Sequence, residues 1–406
     1  MKRFTIISPV IVLLALVVVC TPALAQTPTS AASGKIISAY IGPLTGPAAS
    51  WGQSTSRGGK YFLDQANAKG GVKVGGKTYT FELINYDHGL DPAKAVEYAK
   101  RAIASDKVNL LVLQSTLCAL ATMPIVTENK IVNFHMSMGR KIMSPNFRYS
   151  FRACPTSLWG EAAAFGYLKN NLGLKTVVSV LADDESGWEA FGEMKEAAEI
   201  TGINILENEY YIRGTKDFFP VLSRALAKKP EIISYGSSSP GDCYLIIKQA
   251  YELGFKGMLT GSSPLDIAQL KKMVPEKTLD NILLVTLGTP DVPEYLTPEE
   301  QEMKKAMIEK YGRDGKLWDI TMDSTWQECC WAPIYIQAIQ KADSLDPEKL
   351  TKVIETSTFP VLGRQIRFIG EKQFGINHQL LCDVPVMRIV NGVPKVVGMY
   401  KAGDTK

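Results

Sequence analysis

Short apolar runs alternate with longer segments of helical period along almost the whole chain. Lys35–Ile41 (KIISAYI) predicts a buried strand, and Ser56–Asn67 predicts a helix that closes at Gly70–Gly71. Thr80–Asn85 reads as a strand, and Asp91-Pro92 as an N-cap with proline in the first turn of a helix over Ala93–Ser105. A strand at Val108–Leu113, a helix at Ala119–Glu128 and a strand at Ile131–Phe134 follow. These strands are apolar throughout rather than alternating, which is the pattern of a parallel sheet covered on both faces.

After Phe147–Arg152 the rhythm starts again. Helices are predicted at Leu158–Asn170, Trp188–Ile200, Phe218–Ala227 and Cys243–Leu253, with strands at Thr176–Leu181, Ile203–Glu207, Glu231–Tyr235, Gly257–Thr260 and Asn281–Leu287. Three further helices fall at Pro298–Tyr311, Trp326–Lys341 and Asp346–Glu355. Asp383–Val397 predicts a hairpin turning at Asn391-Gly392. Two successive open α/β sheets imply two lobes. The late helices have too few strands for a third domain and are expected to return to the first lobe.

Gly42–Gln53 (GPLTGPAASWGQ) separates the first strand from the first helix. A Gly/Pro-punctuated loop at the carboxyl end of a strand is where open α/β sheets place ligands. Trp51 is its large aromatic, beside the hydroxyls of Thr45, Ser50 and Ser54. Trp51 either packs under the loop or faces a ligand, and the loop alone does not decide.

With 406 residues, 46% hydrophobic and 21% charged, the chain has the composition of a folded protein of two domains. The formal charge is +4, and without Lys2 and Arg3 the balance is 43 basic to 41 acidic residues, or +2. No basic stripe marks a nucleic-acid partner. The start, MKRFTIISPVIVLLALVVVCTPALA, has a basic end, an apolar run and an A-x-A signal at Ala23–Ala25. It reads as a signal peptide cut after Ala25, followed by a small polar leader at 26–33. Lipoprotein processing at Cys20 is the weaker alternative, because Val19 stands where a small residue is wanted. The mature protein is expected in the periplasm. Its six cysteines lack metal-ligand spacing, and the adjacent Cys329–Cys330 reads as buried free thiols.

His88, His135 and His378 form no ligand pair, so no metal or other cofactor is expected. No dinucleotide or triphosphate glycine motif and no GxSxG elbow is present. Asp183, Asp184 and Glu185 could act as paired carboxylates, but such a run more often caps a helix. What recurs is small polar residues just past strand ends: Ser115-Thr116, Ser137 with Gly139, Ser186-Gly187, Ser237–Ser239 and Ser262-Ser263. Hydroxyls and free N–H groups at helix starts hold carboxylates without reacting with them. Helix capping accounts for some of them. Binding is favoured over catalysis.

The stretches Ile41–Gln53, Asn67–Val72 (NAKGGV), Tyr86–Val96 (YDHGLDPAKAV), Gly214–Phe218 (GTKDF) and Lys248–Gly257 (KQAYELGFKG) together resemble the periplasmic solute-binding proteins of branched-chain amino-acid ABC transporters, the leucine/isoleucine/valine-binding type. The resemblance spans essentially the whole mature chain. It implies an α/β fold of two Rossmann-like lobes with parallel sheets, joined by three crossovers and closing like a flytrap. The crossings would fall near Cys154, Leu287 and Leu380, giving one lobe of 34–154 and 288–378 and another of 155–287 and 379–406. It further implies a non-enzymatic monomer with a small-molecule ligand and ABC permease subunits as partners. A sensor that reports to a signalling receptor is the alternative.

Carried over residue by residue, the resemblance places the aromatic of the first loop at Trp51 and the carboxylate-holding hydroxyl at Thr116, beside Ser115. The strand-end loop becomes Ser137-Met138-Gly139. Glycine replaces the family's usual threonine at Gly139, which leaves Ser137 to supply that hydroxyl. In the second lobe, Ser263 stands where amino-acid binders place the carboxylate for the ligand's ammonium. Ser186 and Ser239 replace aromatics, with Trp188 close by. Leu90 and Ser115 occupy the places of the family's first-lobe disulfide. Burying an ammonium without an anion costs several kcal/mol. Either Asp184, Asp242 or Asp266 supplies the charge from a shifted position, or the ligand is an amine-free aromatic or aliphatic acid, or an amide.

Overall fold

The computed structural model describes residues 34–236, 238–263, 265, 267–285, 292–311, 329–401 and 403. The expected signal peptide and leader, the crossing at Leu287, the start of the helix expected from Trp326, Ser237 and Asp266 lie outside the described residues. Among those described, no helix is long and apolar enough to cross a membrane.

The first sheet is built from β1 (Gly34–Gly42), β2 (Val72–Val74), β3 (Lys77–Asp87), β4 (Leu110–Gln114), β5 (Val132–Met136) and β6 (Ser150–Arg152), joined late in the chain by Phe368–Ile369 and Gln379–Leu380. Its spatial order is Phe368–Ile369, Gln379–Leu380, β6, β5, β4, β1, β3, β2. The central pairs are parallel, and the antiparallel partners lie at the two edges. Residues of β4 and β5 are buried along their full length, Asn133 and His135 of β5 included, as strands covered on both faces are.

A second sheet follows from β7 (Thr176–Ala182), β8 (Asn204–Tyr211), β9 (Ile232–Ser234), β10 (Met258–Gly261) and β11 (Ile282–Val285), in the order β11, β10, β9, β7, β8. The hairpin Val384–Val390/Val393–Tyr400 covers its edge, antiparallel to β11. It turns at Asn391 and Gly392, both at positive φ (52° and 73°), as a two-residue hairpin turn demands. The chain is therefore α/β in two mixed, mainly parallel lobes. In each, the strand order reverses at one place, beside β1 in the first sheet and beside β7 in the second.

Helix α1 (Ala49–Ala68) begins well before the predicted Ser56 and takes in Trp51 and Gln53. Apolar period could not show this start, because the helix buries Gly52, Ser54, Thr55, Ser56, Gly58 and Gly59 rather than large side chains. The small face admits close neighbours: a Cβ at Gly59 would meet the Trp331 ring at 2.0 Å. Trp331 opens the helix Trp331–Ala342, which packs with Ile36, Tyr40 and Phe134 in the first lobe's core. Fully burying a side chain of this size contributes about 1.5–3 kcal/mol. The β2–β3 hairpin was not anticipated, although Gly75-Gly76 at positive φ is its turn.

Candidate functional site

The cleft lies between the carboxyl ends of both sheets, at their reversal points. It holds about 650 Å³ of empty space, part of it continuous with solvent. Six of the residues expected at the site line it: Trp51, Ser115, Thr116, Met138, Ser186 and Ser263. The lobes touch beside it, where Met138 Sδ stands 4.0 Å from Ser262 Oγ.

On the first lobe, Gln114 ends β4 and α3 (Thr116–Glu128) starts two residues on. Ser115 turns the chain between them at φ 75°, ψ 136°, a region that non-glycine residues avoid at a cost of about 1–3 kcal/mol. Its hydroxyl caps the helix by accepting from Cys118 N–H at 3.4 Å. The N–H groups of Thr116 and Leu117 open the helix and have no acceptor among the described residues. They line the cleft, with the positive end of the helix dipole behind them. Trp51, Leu90, Leu117, Met136, Met138 and Cys154 supply an apolar surround.

The nearby hydroxyls of the first loop are already committed. Thr45 Oγ1 donates to Asp87 Oδ2 at 2.6 Å, and Asp87 Oδ1 accepts from the N–H groups of Leu44 and Gly89. Burial works against the Asp87 charge, but these donors outweigh it and hold its carboxyl below the usual range. Ser54 donates to the carbonyl of Ser50 within the helix. His88, kept neutral by burial, ties Leu90 N–H to the Gln114 carbonyl.

The second lobe faces this wall with an ion pair. Asp184 caps α5 (Glu185–Thr201), accepting from Ser186 N–H at 2.9 Å and Gly187 N–H at 3.2 Å. The same carboxylate takes Arg213 in two-pronged fashion, Nε to Oδ2 at 2.7 Å and Nη2 to Oδ1 at 3.2 Å. Arg213 Nη1 lies 3.9 Å from Asp242 Oδ2. Asp242 is buried and accepts the hydroxyls of Tyr211 at 3.1 Å and Ser239 at 2.6 Å. Burial disfavours the Arg213 charge, but Asp184, with Tyr211 and Asp242, more than restores it and holds its pKa above the ordinary value. Among the described residues lining the cleft, Arg213 and Asp184 are the charged ones.

Three expected residues stand apart from the cleft lining. Ser239 caps α7 (Pro240–Glu252) and is spent on Asp242. Ser137 is fully buried, and its hydroxyl has no partner among the described residues. Gly139 donates its N–H to Thr116 Oγ1 at 3.3 Å and gives its carbonyl to Arg152 Nη2 at 2.6 Å. A Cβ there would come within 2.6 Å of Thr116 Cγ2 and 3.1 Å of Glu189 Cγ, so a larger residue would need these side chains to shift. Ser263 donates to the carbonyl of Ser238.

Trp188 points away from the cleft, half-exposed, with its indole N–H on Asp183 at 3.0 Å. The Asp183–Glu185 run is thus absorbed by this bond, by the α5 cap and by an ion pair from Lys141 to Glu185 at 2.7 Å. Arg213 was missed by sequence reasoning. Its signal was position, a charged residue just past β8 and ahead of the Gly214 turn. Among the described residues no cluster of His, Cys, Asp and Glu is arranged for a metal. The described cysteines are free thiols, all buried but Cys382, and burial pushes Cys118 up to about 12.

A family model described as "Periplasmic binding protein" matches residues 38–393. A leucine-, isoleucine-, valine-, threonine- and alanine-binding protein of Pseudomonas aeruginosa is 24% identical over 335 residues, 81% of this chain and 84% of its own length. The leucine-binding protein LivK of Thermotoga maritima superposes with a TM-score of 0.75 at 21% identity, covering 91% of this chain and 99% of that one. A solute-binding protein of an ABC transporter from R. palustris, solved with benzoate, superposes at 0.74 and 18% identity, over 91% and 97%.

Proposed function

The chain belongs to the periplasmic binding protein family, and on that premise we propose that it is an extracytoplasmic receptor of an ABC importer. It captures one small carboxylate-bearing solute between its lobes and delivers it to a membrane permease. The observation that carries the reading is the start of α3, where Thr116 and Leu117 line the cleft and their N–H groups have no acceptor among the described residues. Such an opening binds a carboxylate and performs no chemistry on it.

The ligand is an acid without an amine. Asp184 is the one acid lining the cleft among the described residues, and both its oxygens are taken by Arg213. An ammonium there would compete with a guanidinium already in place. The relatives bind in both ways by name, branched-chain amino acids in one and benzoate in another. Closure of the lobes on the solute shifts an open–closed equilibrium and so signals occupancy to the permease.

Thermal unfolding of the mature protein against leucine, valine, benzoate, aliphatic acids and short amides tests this. A ligand at about 1,000 times its Kd stabilises the native state by about 4 kcal/mol. Stabilisation by amine-free acids is the expected result. Stabilisation by leucine alone would overturn the amine-free assignment, and none by any carboxylate would overturn the receptor reading.

A further inference from the structure

Arg213 spends two of its three nitrogens on Asp184 and keeps the third. Nη1 makes no hydrogen bond among the described residues, and Asp242 at 3.9 Å is beyond hydrogen-bonding reach. A guanidinium offers five N–H donors; two are spent on Asp184, and the three left include both on Nη1. Arg213 lines the cleft and keeps some solvent access, so a ligand oxygen can take the place of water on these donors. Resting on the reading that the α3 wall takes a carboxylate, we infer that the ligand's opposite end carries a neutral oxygen acceptor, a hydroxyl or carbonyl, and that Arg213 Nη1 selects it.

Charge excludes the other candidates. Asp184 and Asp242 place two carboxylates around one guanidinium, so this corner has a net charge of −1. A second ligand carboxylate would bring a third anion into this corner. A ligand ammonium would meet the guanidinium, and Asp184 Oδ1 is already crowded by three donors. A neutral oxygen satisfies Nη1 and leaves the balance unchanged. Beyond Gln114 and the serine and threonine hydroxyls the rest of the lining is apolar, so the ligand body between its two polar ends is largely hydrocarbon.

The test is calorimetric titration of the wild-type protein with acids matched at one end: benzoate, 4-hydroxybenzoate, terephthalate and 4-(aminomethyl)benzoate, then hexanoate and 6-hydroxyhexanoate, with leucine alongside. The hydroxylated member of at least one pair is expected to bind tenfold or more tighter than its parent. Terephthalate and 4-(aminomethyl)benzoate are expected to bind more weakly than benzoate. In the neutral pair Arg213→Gln with Asp184→Asn, whose folding is checked by its melting curve, the hydroxyl preference should fall below twofold. Equal binding of hydroxylated and parent acids, the tightest binding by the dianion or the ammonium compound, or a preference that survives the double substitution would overturn the inference while leaving the receptor reading intact. Binding of leucine with none of the amine-free acids, or no binding at all, would overturn both.

Discussion

The two walls of the cleft occupy the same position in two similar sheets, yet they are finished differently. The first-lobe wall is uncharged: two helix N–H groups without an acceptor among the described residues, the hydroxyls of Ser115 and Thr116, which accept from Cys118 and Gly139 N–H, and an apolar surround. The second-lobe wall carries an arginine and two aspartates that largely satisfy one another. On the reading proposed above, a wall of free donors binds before closure, because nothing must be given up first, and a wall of paired charges gains little from a solute until the lobes meet.

The largest expected break in this comparison comes from Asp184→Ala. It uncaps α5 and leaves Arg213 without its main partner, costing about 3–5 kcal/mol of stability, whereas Thr116→Val on the opposite wall should cost no more than about 1 kcal/mol. Urea unfolding of the two variants checks the contrast, and equal losses would contradict it.

Next in size is the pH response of the second lobe. Glu161 is fully buried on α4 (Ser157–Leu172) with Ser234, at 3.3 Å, as its only partner among the described residues, and burial raises its carboxyl to about 8. The folded state then holds a proton that the unfolded state releases near pH 4.5, so stability falls as pH rises from about 4.5 to about 8 and levels off above. Glu161→Gln should remove this residue's part of that decline, a gain on the order of a few kcal/mol above pH 8 and little change near pH 4.5, while Glu193, raised by burial to about 7, keeps its own part. An unchanged slope in denaturation profiles would refute the assignment.

Thr116→Val should weaken solute binding by about tenfold, or about 1.4 kcal/mol, read by titration, with the fold retained. The smallest effect is expected at the contact between the walls. Lys141 reaches Glu185 at 2.7 Å and Glu189 at 3.3 Å, and Arg140 reaches Glu196 at 3.0 Å, so a first-lobe loop pairs with α5 of the second. These pairs are largely exposed on the basic side and worth up to about 1 kcal/mol each. Lys141→Met should weaken binding by no more than about fivefold at low salt and by less at high salt. A salt-independent loss would mean that this contact is not electrostatic.

Much of the frame was legible because buried parallel strands are continuous apolar runs, and β4, β5 and β7 read as such. The Asp91 cap and the Asn391-Gly392 turn were legible from local chemistry. The start of α1 was hidden because that helix packs with small residues, which carry no apolar period. On the cleft, small polar residues past strand ends located Ser115, Thr116, Ser186 and Ser263. They could not separate Ser239, whose hydroxyl serves Asp242, from a residue open to solute. Arg213 escaped because its role depends on Asp184, distant in sequence and brought to it only by the pairing of β7 with β8.

The most direct test is a crystal structure with the tightest acid of the panel bound. The expected electron density puts the carboxylate on the N–H groups of Thr116 and Leu117 and the neutral oxygen on Arg213 Nη1. A carboxylate seated on Arg213, with the start of α3 facing only hydrocarbon, would contradict the division of labour between the two walls.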